Sequence, residues 1–152
     1  MQIKRSTLVQ VALFAALAFA VYQGNVLLQS TLGKQALEAT GLVSHPLDEA
    51  LAQAEAGDKE VLVEVSAIWC PTCRRLDKAV LSDPRVHDAI AEDYVFTRLE
   101  YESDEGEAFL EELGVRGFPM LLVLRPDGSF ARQIPVRFDP EAFVAALQAP
   151  EA

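Results

Sequence analysis

The sequence predicts an α/β domain: a central mixed β-sheet with helices on both faces, preceded by an N-terminal hydrophobic helix. Three patterns carry that expectation. From His45 onward, segments of helical and strand character alternate. The turn Pro126-Asp127-Gly128 then joins two strands as a hairpin, and a last helical segment closes the chain. Ahead of all this, an apolar run over residues 8–22, broken only by Gln10, follows the basic pair Lys4 and Arg5.

A chain of 152 residues suits one domain and is short for two. Thirteen Lys+Arg against 23 Asp+Glu leave a net charge of −10. That excludes a nucleic-acid binder, which draws on clustered basic residues, and disfavours adsorption onto anionic lipid. Hydrophobic residues at 51% exclude a disordered chain. Two cysteines make neither a disulfide framework nor a four-thiolate metal site. No metal and no cofactor are expected.

Residues 1–22 read as a signal peptide or a membrane anchor, with a buried core helix as the alternative that the flanking charge suits less well. The apolar run is shorter than the ~20 residues of a comfortable spanning helix. Small residues in Ala18-Phe19-Ala20 suit cleavage after Ala20. The uncleaved alternative is an anchor over residues 8–28. Either way the charge asymmetry places the remainder outside the cytoplasm, periplasmic or otherwise extracytoplasmic. Residues 23–44, interrupted by Gly24, Gly33 and Gly41, read as a linker with at most a short helix over 31–39.

The domain proper is expected over residues 45–149. Residues 46–56 read as a helix, with an early proline and Gly57 as its stop. The β-branched run 61–65 reads as a strand. Helical spacing follows Cys70, with Leu76, Ala79 and Val80 on one face. Asp83-Pro84 is an N-cap followed by proline at the first helical position, opening a helix to about residue 92. Residues 94–101 form a second strand, 106–113 a helix closed by Gly114, and 120–124 a third, strongly apolar strand. The hairpin returns through 129–134, and Asp139-Pro140 opens the final helix to about residue 148.

The chemistry lies in Trp69-Cys70-Pro71-Thr72-Cys73. A strand runs into this segment and a helix runs out of it. Cys70 therefore falls at a helix N-terminus, where free N–H groups and the helix dipole favour a thiolate. Cys73 is one turn further on and can close a disulfide with it. In this reading Cys70 is exposed and attacks, and the more buried Cys73 resolves the mixed disulfide. Zinc lacks further ligands at suitable spacing, since only His45 and His87 are available, and both read as surface or capping residues. Covalent haem needs His directly after the second Cys, where Arg74 stands. An inert structural disulfide remains the main alternative.

Two further features support redox exchange. Glu64 interrupts an apolar strand six residues before Cys70; in a covered sheet it is buried, with a raised pKa, and accepts the proton of Cys73. A solvated sheet edge is the alternative for this residue. Gly117-Phe118-Pro119 precedes the third strand. A trans turn proline is the commoner case there. A cis bond would let the Phe118 backbone face Cys70 and pair with an extended substrate segment. Trp69, Pro71, Thr72, Phe118 and Pro119 are the candidate substrate-binding residues.

From about Leu47 to Leu147 the chain resembles the thioredoxin family. The resemblance rests on residues 61–67 leading into Trp69–Cys73, on Gly114-Val115-Arg116-Gly117-Phe118-Pro119, and on Pro126-Asp127-Gly128. It implies the thioredoxin fold, a cis Pro119, Glu64 as the buried acid, and Arg98 roughly where thioredoxin has the lysine that partners it. Leu81-Ser82-Asp83-Pro84-Arg85-Val86 looks like the subgroup related to the C-terminal domain of the membrane thiol-disulfide reductants. Pro71-Thr72 resembles the exported thioredoxins of cytochrome c maturation, but Pro119 follows Cys73 by 46 positions, too few for their central insertion.

The acidic run Glu100, Glu102, Asp104, Glu105, Glu107, Glu111 and Glu112 reads as a solvated helix face with an acidic first turn, the alternatives being a steering surface for a basic partner or a weak cation site. Together these readings give an extracytoplasmic thiol-disulfide oxidoreductase that reduces protein disulfides, with a membrane electron donor. The alternatives are a dedicated reductant of apocytochrome c thiols and a non-catalytic binding module.

Overall fold

The computed structural model describes residues 5–114 and 117–149, with the backbone alone of Arg5. Lys4, the Arg5 side chain and the Val115-Arg116 part of the motif before Pro119 lie outside the described residues. The elements in chain order are α1 (Arg5–Thr40), α2 (Leu47–Gly57), β1 (Glu60–Ser66), α3 (Pro71–Leu76), a π-helical turn (Asp77–Leu81), α4 (Pro84–Asp93) and β2 (Tyr94–Glu100). After these come α5 (Asp104–Leu113), β3 (Met120–Leu124), β4 (Phe130–Ile134) and α6 (Pro140–Leu147).

The four strands form one mixed sheet in the order β2-β1-β3-β4. β1 runs parallel to β2 and antiparallel to β3, and β3 pairs antiparallel with β4 across the hairpin turn. Strand side chains alternate between faces. Leu62, Leu121 and Val123 pack with Leu76, Val80, Ile90 and Phe143, beneath α3, the π turn, α4 and α6. Val61, Val63, Val65 and Leu122 pack on the other face with Ala50, Ala54, Phe109 and Leu110 of α2 and α5. Both faces are thus covered. The caps follow the sequence: Asp83, Ser103 and Asp139 each accept a backbone N–H of the first turn of the helix that follows.

Two local expectations change. The stretch after residue 22, expected as an irregular spacer, continues α1 as one 36-residue helix. It contains no proline, and isolated glycines cost a helix only ~1 kcal/mol each. Its distal part packs on α3 and the π turn, burying Gly33, Ala36 and Thr40. Gly33 is required there, because a Cβ at this position would lie 1.8 Å from the Ile68 carbonyl oxygen. The proximal part is different: Leu8, Phe14, Phe19 and Leu28 are all more than half exposed. Among the described residues this is a helix long and apolar enough to cross a membrane.

The second change follows Cys73. The helix widens into the π turn, which rotates the buried face relative to a regular α-helix. Ala79, expected inside, is exposed, and Asp77 is buried in its place.

Candidate active site

β1 ends at Ser66 and the chain turns through Ala67, Ile68 and Trp69 into Cys70, the N-cap of α3. The Cys70 N–H donates to the Ala67 carbonyl at 2.9 Å, which closes this turn. Pro71 occupies the first turn of α3, where a missing N–H leaves no bond unmade. The Cys73 N–H donates to Cys70 Sγ at 3.1 Å. Both thiols are free. Cys73 is fully buried and Cys70 is 4% exposed, so the sequence reading of an exposed Cys70 needs correction. Cys70 packs in a small cluster with Ala67 and Cys73, flanked by Trp69, Tyr101 and Phe118.

The aromatic rim is ordered by ring contacts. Trp69 meets Phe118 edge to face with centroids 5.3 Å apart, and Tyr101 lies 4.7 Å from Phe118. The Phe118–Pro119 peptide bond is cis. Thr72 is exposed on the first turn of α3.

Two members of the acidic run are not simply solvated. The Glu100 carboxylate accepts the Ile68 N–H at 2.7 Å, and the Glu102 carboxylate accepts the Trp69 indole N–H at 3.1 Å. They hold the loop that presents Cys70. Sequence reading missed this because the seven acids look alike in a linear string. The useful signal is that Glu100 closes β2, beside the end of β1.

Behind Cys73 lies a buried polar cluster. Glu64 pairs with Arg98 across β1 and β2, and both share the face of the π turn with Ser66 and Asp77. Arg98 donates from Nη1 to Asp77 Oδ1 at 2.8 Å and to Glu64 Oε2 at 3.3 Å, and from Nη2 to the Ser66 hydroxyl at 2.6 Å. Glu64 and Asp77 are fully buried. One cation therefore serves two carboxylates in a region closed to water, so a shared proton is favoured over two full charges.

The shorter bond goes to Asp77, which leaves Glu64 the more weakly held acid. Burial pushes the Glu64 carboxyl up to about 7, against the opposing pull of Arg98. Burial raises Asp77 as well, again opposed by Arg98. The Cys73 thiol is pushed up to about 12, mainly by burial, with the Ser66 hydroxyl acting in the opposite sense. The Ser66 hydroxyl also lowers the Glu64 carboxyl, so one hydroxyl acts in the same sense on the thiol and on the acid. The structure thus brings Glu64 and Cys73 into one cluster, and adds Asp77 and Ser66, which sequence reading missed. The signal that could have found Asp77 is its spacing, four residues after the buried Cys73 and so on the same helix face.

Comparison with known proteins decides the family. Residues 43–126 match the family described as thioredoxin-like. The chain belongs to that family. It is 31% identical over 128 residues to the thiol:disulfide interchange protein DsbD of Pseudomonas fluorescens, covering 82% of this chain and 22% of that protein. The Escherichia coli K12 protein of the same name is 32% identical over 106 residues, covering 67% of this chain and 18% of that one. This thioredoxin-like chain therefore spans about a fifth of the length of those relatives.

Among solved structures, a thioredoxin from Thermus thermophilus aligns with TM-score 0.61 and 29% identity, over 70% of this chain and 85% of its own. The oxidised C-terminal domain of Neisseria meningitidis DsbD aligns with TM-score 0.55 and 27% identity, over 68% and 94%. These homologues are thiol:disulfide interchange proteins, consistent with a thiol-disulfide oxidoreductase.

Proposed function

We propose that this chain is an extracytoplasmic thiol-disulfide oxidoreductase that reduces protein disulfides, anchored by the exposed apolar part of α1. The observation that carries the reading is the free Cys70–Cys73 pair at the start of α3, backed by the buried Glu64. Cys70 as thiolate attacks one sulfur of a substrate disulfide, forming a mixed disulfide and releasing the first substrate thiolate. Cys73 then gives its proton to the Glu64 carboxylate and attacks Cys70 Sγ. The Cys70–Cys73 disulfide forms, the second substrate thiolate leaves, and two electrons have passed to the substrate.

The buried thiol needs this base. Burial raises Cys73 to about 12, and the carboxylate held near 7 accepts its proton in the same closed region. Trp69, Pro71, Thr72, Phe118 and Pro119 would receive the substrate backbone around Cys70. Regeneration needs an external dithiol, for which a membrane protein is the natural source if α1 spans the bilayer. Pro71-Thr72 supports the reductive direction, because no His lies between the cysteines to stabilise the thiolate as in strong oxidants.

The test is the reduction potential of the Cys70–Cys73 couple together with turnover of a protein disulfide. A potential below about −200 mV with turnover on supply of a donor supports the reading. A potential near about −120 mV, that of a dedicated oxidant, overturns the direction.

A further inference from the structure

Beside the cysteine motif, α1 and the active-site loop enclose a pocket of about 480 Å³, walled by Tyr22, Asn25, Val26 and Gln29 on α1 and by Trp69, Pro71 and Glu102 across from them. Trp69 and Pro71 flank Cys70 in the chain, so a substrate cysteine at Cys70 places its neighbouring side chain at this opening. Two aromatic rings, an aliphatic side chain and a proline offer an apolar sleeve, and on its α1 wall the Gln29 amide donates to the Asn25 carbonyl oxygen at 3.4 Å. The charged member of the lining is the Glu102 carboxylate, and the lining has no base. One Glu102 oxygen is held by the Trp69 indole N–H at 3.1 Å, which orients the carboxylate and leaves its other oxygen without a partner among the described residues.

A long cationic side chain suits these walls. Its methylenes lie along the apolar sleeve, its charge meets the aromatic faces of Tyr22 and Trp69, and its N–H groups reach Glu102. A separate depression shares Pro71 but carries Arg74, Arg75 and Lys78. A peptide crossing Pro71 therefore meets negative charge on one side and positive charge on the other. The pocket survives either fate of the N-terminus, since cleavage after Ala20 would leave Tyr22 and Asn25 in place. If α1 spans the bilayer, a span of about 20 residues from Ser6 ends near Asn25 and sets the pocket at headgroup level.

We propose that this pocket is a substrate subsite that takes an Arg or Lys side chain adjacent to the reacting cysteine of the substrate. The proposal rests on the thiol-exchange reading given above. It makes the distal half of α1 part of the substrate site.

The test uses the full chain, reduced beforehand and held in detergent micelles. The substrates are disulfide-linked peptide dimers identical except for Arg, Leu or Glu next to the cysteine. Second-order reduction rates are expected to favour the Arg peptide over the Leu peptide by about tenfold, as for a hydrogen bond to a charged group. Glu102→Gln and Tyr22→Ala should each bring that ratio below about threefold. Glu112→Gln, which removes the same charge from the exposed face of α5, should leave the ratio unchanged.

A wild-type ratio within about twofold, with the peptides and a small aromatic disulfide reduced normally, overturns the subsite alone. An equal effect of Glu112→Gln and Glu102→Gln also overturns it, by showing bulk charge rather than a pocket. No reduction of any disulfide overturns the exchange reading, and the subsite with it.

Discussion

Replacing Glu64 by Gln tests the buried acid through its pH dependence. The side chain is fully buried, and its carboxyl is raised from 4.5 to about 7, mainly by burial. A carboxyl raised on folding stabilises the native state fully while protonated and loses that contribution as pH rises through its folded value. The wild type should therefore lose about 3 kcal/mol of stability between pH 4.5 and pH 8 from this group, at ~1.4 kcal/mol per pH unit. Glu64→Gln keeps the shape and an acceptor for Arg98 but cannot ionise. Arg98 stays paired with Asp77. The variant should match the wild type within about 1 kcal/mol near pH 4.5 and exceed it by about 3 kcal/mol at pH 8. Urea unfolding in mild detergent, followed by the fluorescence of the single Trp at position 69, reads this directly. A stability difference that does not change with pH would refute the raised carboxyl.

Three other outcomes follow from the same packing. Glu64→Gln should slow resolution of a preformed mixed disulfide on the order of 100-fold and remove the bend near pH 7 from its rate profile; an unchanged profile would show that Glu64 is not the base. Arg98→Gln leaves two buried carboxylates without their cation and should cost about 3–5 kcal/mol, more at pH 8 than at pH 5, in the same urea assay. Gly33→Val drives a side chain into the Ile68 carbonyl and should cost about 1–3 kcal/mol. Hydrogen exchange should then show lost amide protection over residues 29–40, and intact protection would mean that α1 is not docked there.

Most of the fold was legible from periodicity and caps. Residues 120–124 form the strand as expected because a continuous apolar run bounded by Pro119 and the Pro126-Asp127-Gly128 turn has few alternatives. Asp83-Pro84 and Asp139-Pro140 each open a helix because local side-chain caps decide such starts. The cysteine motif and Glu64 were legible for a related reason: a charge inside a strand and paired thiols at a helix start are local anomalies. Asp77, Ser66 and Glu102 were not. Their roles depend on which helix face is buried, on strand register and on the β2–α5 connection lying beside the loop, which are tertiary facts. The path of α1 was missed because glycines read as breaks in isolation, whereas Gly33 is the contact that lets the helix sit against Ile68.

The central claim is that Cys70 attacks and Cys73 resolves. Cys73→Ser in the full chain, reduced and then exposed to a protein disulfide, should accumulate a mixed disulfide that mass spectrometry maps to Cys70. Cys70→Ser should accumulate almost none, because Cys73 is fully buried and its thiol lies near 12. Adducts on Cys73 in the Cys70→Ser variant at a comparable rate, or none in either variant, would contradict the claim.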